Sequence, residues 1–163
     1  MESMTAPSIA VAWLTGAAVL VPLLLGLVAL LPRAERAVMA AAPFAALPAL
    51  GLAMSGSDPW SVHVPWLLLG TRLGLDLTGR VYLLLGAITF SLAALAAWRD
   101  ADVAAGSRRD FMAFLLPSAA GTFGMALSQD AVTFYVCFAL MSVPAYGLVV
   151  FDRRAESRRA GLA

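Results

Sequence analysis

FMAFLLPSAAGTFGMALSQDAVTFYVCFALMSVPAYGLVVF, residues Phe111–Phe151, holds a single charged residue, Asp130. With Gln129 it divides the stretch into two apolar runs, Phe111–Ser128 and Ala131–Phe151. Each is long enough to cross roughly 30 Å of hydrocarbon at about 1.5 Å per residue. Two such runs joined by so short a polar step predict a tight antiparallel pair of membrane helices. Three further runs of the same kind lie upstream, Ile9–Leu31, Ala37–Met54 and Val81–Trp98. None of the five contains Asp, Glu, Arg or His, and the chain has no lysine. The expected fold is an all-α polytopic membrane protein with five transmembrane helices forming one membrane domain.

Composition agrees. The chain is 61% hydrophobic and 13% charged, where soluble domains lie near one half and one quarter. Glu2 and the lack of early positive charge argue against a cleaved signal peptide, so the first run reads as a retained helix. The one cysteine, Cys137, lies in an apolar run and reads as a small hydrophobe. There is no basic patch with interleaved aromatics, so nucleic acid is not an expected partner. Without a His or Cys cluster, phosphate loop or nucleophile–base pair, we expect no catalytic residues, no metal and no cofactor.

Arginine gives the orientation. Arg33 and Arg36, then Arg99, Arg108 and Arg109, then Arg153, Arg154, Arg158 and Arg159 alternate onto one side, leaving Arg72 and Arg80 on the other. The positive-inside rule then places the N-terminus outside and the C-terminus, with its basic tail 152–163, in the cytoplasm of a bacterial inner membrane. Arg108–Asp110 and the tail read as interfacial anchors for anionic headgroups in the lipid bilayer.

The one long connection, Ser55–Gly79, alternates Leu73, Leu75 and Leu77 with Arg72, Gly74, Asp76 and Thr78. Period two predicts a strand. Val62–Leu69 is a second extended candidate, with Gly70-Thr71 as the turn, giving a short external β-hairpin between helices two and three. Pro65 has to sit on its edge. Asp76 or Thr78 then caps the third helix.

Within the membrane, Ala120, Gly124 and Ser128 form a small-residue stripe on the fourth span, and Ala139, Ser142 and Ala145 form one on the fifth. Such stripes let helices approach closely, although alanine-rich sequence produces them without a partner too. Pro22, Pro43, Pro48, Pro117 and Pro144 each remove a helical donor; Pro144 frees the carbonyl of Leu140, beside Ala139. Tyr135, Ser142 and Tyr146 can bond across helices or order water. His63 in the outer loop reads as an ordinary loop residue or a proton collector, and Asp130 as a turn residue facing water.

Two stretches carry a resemblance. PWLLLGTRLGLDLTGRVYLLLGAI (Pro65–Ile88) and Phe111–Phe151 resemble the N-terminal five-helix part of the antiporter-like, proton-conducting subunits of complex I, Mrp antiporters and membrane-bound hydrogenases. The resemblance implies a leucine–aspartate pair, here Leu75-Asp76. It also implies a tryptophan–glutamate pair on the fifth helix, where this chain reads Phe138-Ala139. Family members are about fourteen spans long, in two inverted five-helix repeats, and their proton path uses that glutamate, a lysine on the seventh helix, and a further lysine or glutamate on a later broken helix. A mid-membrane charge needs such a partner. Ala139 marks the position of the acid and cannot hold a proton. The implied function is a truncated or split antiporter-like subunit that supports ion translocation through partner membrane subunits carrying the ionisable residues. The alternative is a purely structural scaffold that touches no ion path.

Overall fold

Why five runs give five crossings, and where the chain interrupts them, is set mostly by proline and by caps. The structure, a computed structural model, describes residues 9–55, 60–64, 70–99 and 105–160. Its elements are α1 (Ile9–Ala29), α2 (Glu35–Ala41), α3 (Leu47–Met54), β1 (Trp60–Val64), β2 (Thr71–Leu75), α4 (Leu77–Arg99), α5 (Ala105–Leu127) and α6 (Ala131–Ala160). Five segments are long and apolar enough to cross a membrane: Ile9–Ala29, Glu35–Met54, Leu77–Arg99, Arg108–Leu127 and Ala131–Leu148. The fold is that of a multi-pass, mostly helical membrane protein with a small two-stranded sheet.

The second span is not the continuous helix expected over Ala37–Met54. It breaks into α2, a 3₁₀ turn at Ala42–Phe44, and α3. Pro43 and Pro48 each lack an N–H and crowd the preceding turn. Their effects overlap across a single turn, and the chain bridges it with an i→i+3 bond from the Ala45 N–H to the Ala42 carbonyl, 3.1 Å. Single prolines do less: Pro22, Pro117 and Pro144 all stay inside helices. Beyond the apolar part of α6 the chain continues as helix to Ala160 rather than as a separate tail. The tail side chains, Arg153 to Arg159 among them, lie outside the described residues.

The hairpin forms, with shifted bounds. β1 and β2 pair antiparallel with Trp60 opposite Leu75, Val62 opposite Leu73 and His63 opposite Arg72. The strand begins at Trp60, not Val62, because Trp60 and Leu75 are anchored together in the core, each almost wholly buried. It stops at Leu75 instead of running on to Thr78. Asp76 ends it by accepting from the Gly79 N–H at 2.6 Å, which caps α4 four residues before the expected start. Thr78 lies in the first turn of that helix. Gly70 sits at φ 105, where only glycine is unstrained. Pro65 and the rest of 65–69 lie outside the described residues.

α5 is the hub. It packs against α1, α4 and α6, with fully buried Met112, Ala120, Phe123 and Leu127. Pro117 fits where Gly26 of α1 has no side chain: a Cβ there would lie 2.6 Å from the proline ring. Gly79 of α4 likewise lies under the Ala126 carbonyl, 2.5 Å from where a Cβ would be. Phe90 of α4 meets Phe123 edge to face at 5.9 Å. Contacts this close hold membrane helices together where lipid gives them no hydrophobic drive.

Candidate functional site

The position that the resemblance singles out, Ala139, lies on α6, and α6 is fixed at its foot and along one face only. At the foot, the Asp130 Oδ1 accepts from the Thr133 N–H at 2.8 Å, capping the helix. Its Oδ2 accepts from the Arg72 N–H of β2, also at 2.8 Å. The Gln129 N–H donates to the Arg72 carbonyl at 2.9 Å, and Ser128 bridges to Leu73. One carboxylate thus ends the turn, starts α6 and ties the hairpin to it. Hydrogen bonding from Thr133, followed by the Arg72 N–H, holds the Asp130 carboxyl at about 2, against an ordinary 3.8. Sequence reasoning gave Asp130 only a solvent-facing turn role. The signal that could have found the cap was an Asp three residues before Thr133 at the start of an apolar run.

Along the packed face, Gly121 is the closest approach. A Cβ there would collide with the Met141 nitrogen and lie 2.7 Å from the Cys137 carbonyl oxygen. At Gly124 it would lie 2.5 Å from the Cys137 Sγ. At Gly147 of α6 it would lie 2.6 Å from the Phe114 ring. The Ser118 hydroxyl donates to the Met141 carbonyl at 3.4 Å. The seam therefore passes through Gly121 and Gly124 against Cys137 and Met141; of the expected stripe of Ala139, Ser142 and Ala145, Ala145 lies on this side, four residues after Met141, and Ala139 does not. Ala139 is two residues from both Cys137 and Met141, about 200° round the helix, and so lies on the far side. Of the other predicted residues, Ala120 is fully buried and Gly124 lies in the seam, while Ser128 lies just past the end of α5. Ser142 and Pro144 are half-buried. Gly121 and Gly147 were missed, although each is a glycine in an apolar helix, where glycine often marks a close contact.

The outer face of α6 presents Phe134, Tyr135, Phe138, Ala139, Val143 and Tyr146. Phe134 and Phe138 stack at 6.4 Å, one turn apart. Tyr135 and Tyr146 are exposed toward the two ends of the apolar segment. Ala139 lies about 12 Å along the helix from Ala131, near mid-depth. Among the described residues this face carries no carboxylate, amine or imidazole, and its ionisable groups are the two tyrosine phenols. Hydroxyls within the bundle are turned back on carbonyls: Thr15 donates to Val11 at 2.7 Å and Thr122 to Ser118 at 2.9 Å.

Elsewhere the chemistry is sparse. His63 is exposed on the hairpin opposite Arg72. Among the described residues no three His, Cys, Asp or Glu side chains gather where they could hold a metal ion. A cavity of about 10 Å³ beside Pro22, Ala46, Phe90 and Phe123 is walled by apolar groups. That is room for about one water, without the polar partners a water needs. Compared with family models, curated proteins and solved structures, the chain matches none.

Proposed function

We propose that this chain is an antiporter-like membrane subunit that serves proton or cation translocation only alongside partner subunits, with the outer face of α6 turned toward a neighbour that carries the ionisable residues. The observation that carries the reading is the placement of Ala139. It is exposed at mid-depth on the span with the least of its surface buried in the bundle, at the position where the resemblance implies the family acid. An acid at that depth needs a charged partner to stabilise it, and this chain supplies neither member of such a pair. The same reading sets the N-terminus outside and the hairpin on the external surface of a bacterial inner membrane, because Arg33, Arg36, Arg99, Arg108 and Arg109 fall at the other end of the bundle and only Arg72 and Arg80 at the hairpin end.

A second reading has its own support. The stacked Phe134 and Phe138 and the two exposed tyrosines suit a face covered by lipid, as in a scaffold subunit that touches no ion path. Flux measurements separate the two. The purified chain in liposomes is expected to pass neither protons nor sodium, and uncoupler-sensitive acidification would overturn the dependence on partners. In the native assembly, Ala139→Glu should change the rate or stoichiometry of ion movement. Unchanged flux from a fully assembled complex would favour the scaffold.

A further inference from the structure

The hairpin has two edges, and the bundle uses one of them. On β2 the Arg72 N–H donates to the Asp130 carboxylate at 2.8 Å, and the Arg72 carbonyl accepts from the Gln129 N–H at 2.9 Å. Both backbone groups of Arg72 therefore point away from β1. Such groups alternate along an antiparallel strand, so Thr71, Leu73 and Leu75 carry the ladder to Val64, Val62 and Trp60. By the same alternation the N–H and C=O groups of Ser61 and His63 point out of the opposite edge. No hydrogen bond reaches them from the described residues.

Nothing in β1 blunts that edge. Trp60–Val64 contains no proline, lysine or carboxylate, and it pairs with β2 residue for residue without a bulge. Those are the usual devices that keep an edge strand from pairing with another chain. Pro65 follows at once, which limits the free edge to this strand. β2 packs against α4, α5 and α6, while β1 is attached through β2 and the buried Trp60, so its free edge faces away from those helices.

The edge is also complementary to itself. A two-fold axis through Val62, perpendicular to the sheet, sets Ser61 of one copy opposite His63 of the other. Each such pair exchanges both N–H···O bonds. The direction of the axis suits a membrane. Trp60, Val62, Leu73 and Leu75 face the bundle core, whereas His63 and Arg72 are exposed on the other face. The sheet thus lies face down across the end of the bundle, and an axis normal to it keeps both copies the same way up in one bilayer. Nearby charges do not oppose the pairing. Arg72 stands one strand back, about 14 Å or more from its counterpart. Asp76 and Asp130 are engaged as caps, Arg80 lies in the first turn of α4, and Asp58 precedes the strand.

We propose that two copies of this chain pair through the free edges of β1, forming one antiparallel sheet in the order β2–β1–β1–β2 across the ends of both bundles. The pairing is independent of the ion-translocation reading and survives its failure.

The test uses the full chain in liposomes. In a Cys137→Ala background, Val62→Cys places its thiol at the axis, where opposed residues lie about 4.5 Å apart at Cα. That is within disulfide reach, so mild oxidation should give a linked dimer at least about tenfold faster than with Arg72→Cys. Equal rates would mean random collision and overturn the pairing. Energy transfer between labelled copies, followed as the liposomes are diluted with lipid, gives the dimer fraction. His63→Pro removes an edge donor that the β1–β2 ladder does not use. It should weaken association by about tenfold or more, with the Leu73 N–H still protected from exchange. Association at the wild-type level in that variant would overturn the edge as the contact, and so would a wild type that stays monomeric at high density. Should the proline melt the hairpin, the cross-link decides alone. In native membranes, a Val62→Cys adduct to a different polypeptide would overturn the second copy as the occupant.

Discussion

Adding a single methyl group at Gly121 should pry α6 from the bundle. In Gly121→Ala the new carbon would lie 2.7 Å from the Cys137 carbonyl oxygen and 2.8 Å from the Met141 Cα, with the Met141 nitrogen closer still. Comfortable contact is about 3.5 Å, so α6 has to retreat by at least about 0.8 Å. Every atom struck is backbone, so no rotamer change relieves the clash. Overpacking of this kind costs about 1–3 kcal/mol. Gly16→Ala is the matched control, because a Cβ there meets nothing within 4 Å. It should be neutral, or stabilising by up to about 1 kcal/mol through helix propensity. Two readouts report on the seam. SDS-induced unfolding of the purified chain gives the stability difference. The rate at which a maleimide alkylates Cys137, the chain's one cysteine, gives local opening, since the thiol lies against Gly124. Gly121→Ala should unfold earlier and label faster, and Gly16→Ala should do neither. Should both variants unfold with the wild type and label at its rate, α5 and α6 do not meet through Cys137 and Met141.

The remaining expectations concern the caps and the outer face. Asp130→Asn should speed amide exchange at both Arg72 and Thr133, because one carboxylate serves both N–H groups; acceleration at only one would separate cap from tie. Folding lowers the Asp130 pKa from 3.8 to about 2. The stability it lends is therefore fully present above about pH 4 and is lost as pH falls through about 2. Protection of Arg72 should follow that window in the wild type and be flat across it in Asp130→Asn. Asp76→Ala removes the cap on α4 and should cost about 1 kcal/mol, measured by the same SDS titration, whereas Thr78→Ala should cost little. Ala139→Glu in the isolated chain should disfavour membrane insertion of α6 by about 3 kcal/mol in a glycosylation-mapping assay. Insertion at the wild-type level would mean that the bundle already shields this position.

How much of this could be read in advance depends on which physical signal each feature leaves. The spans were legible because hydrocarbon tolerates so few residue types: runs without charge at Ile9–Leu31 or Val81–Trp98 have no other economical reading. The hairpin was legible from the alternation of Leu73 and Leu75, and the cap from an aspartate ahead of an apolar run. Its bounds were not, because the alternation continues through Leu77 while a single bond from Gly79 to Asp76 ends the strand. The break in the second span follows from two prolines five residues apart, yet each alone is compatible with a helix, as Pro22, Pro117 and Pro144 are. Only their combination so close together decides it.

The face that α6 presents was the least legible feature, for a reason specific to membranes. In water, apolar periodicity shows which side of a helix is buried, because the other side has to be polar. In lipid both sides are apolar, so Phe134, Phe138 and Val143 look no less like core residues than Cys137 and Met141. The small-residue stripe through Ala139 was the substitute signal, and alanine fails as one: it packs closely or faces lipid with equal ease. Glycine discriminates better, since it costs helix propensity and so needs a reason to be there. Gly121 and Gly124 on one helix, with Gly147 on the other, mark the seam by that argument alone. With Cys137 and Met141 in the seam, Ala139 is left on the outside, about 200° round the helix from both.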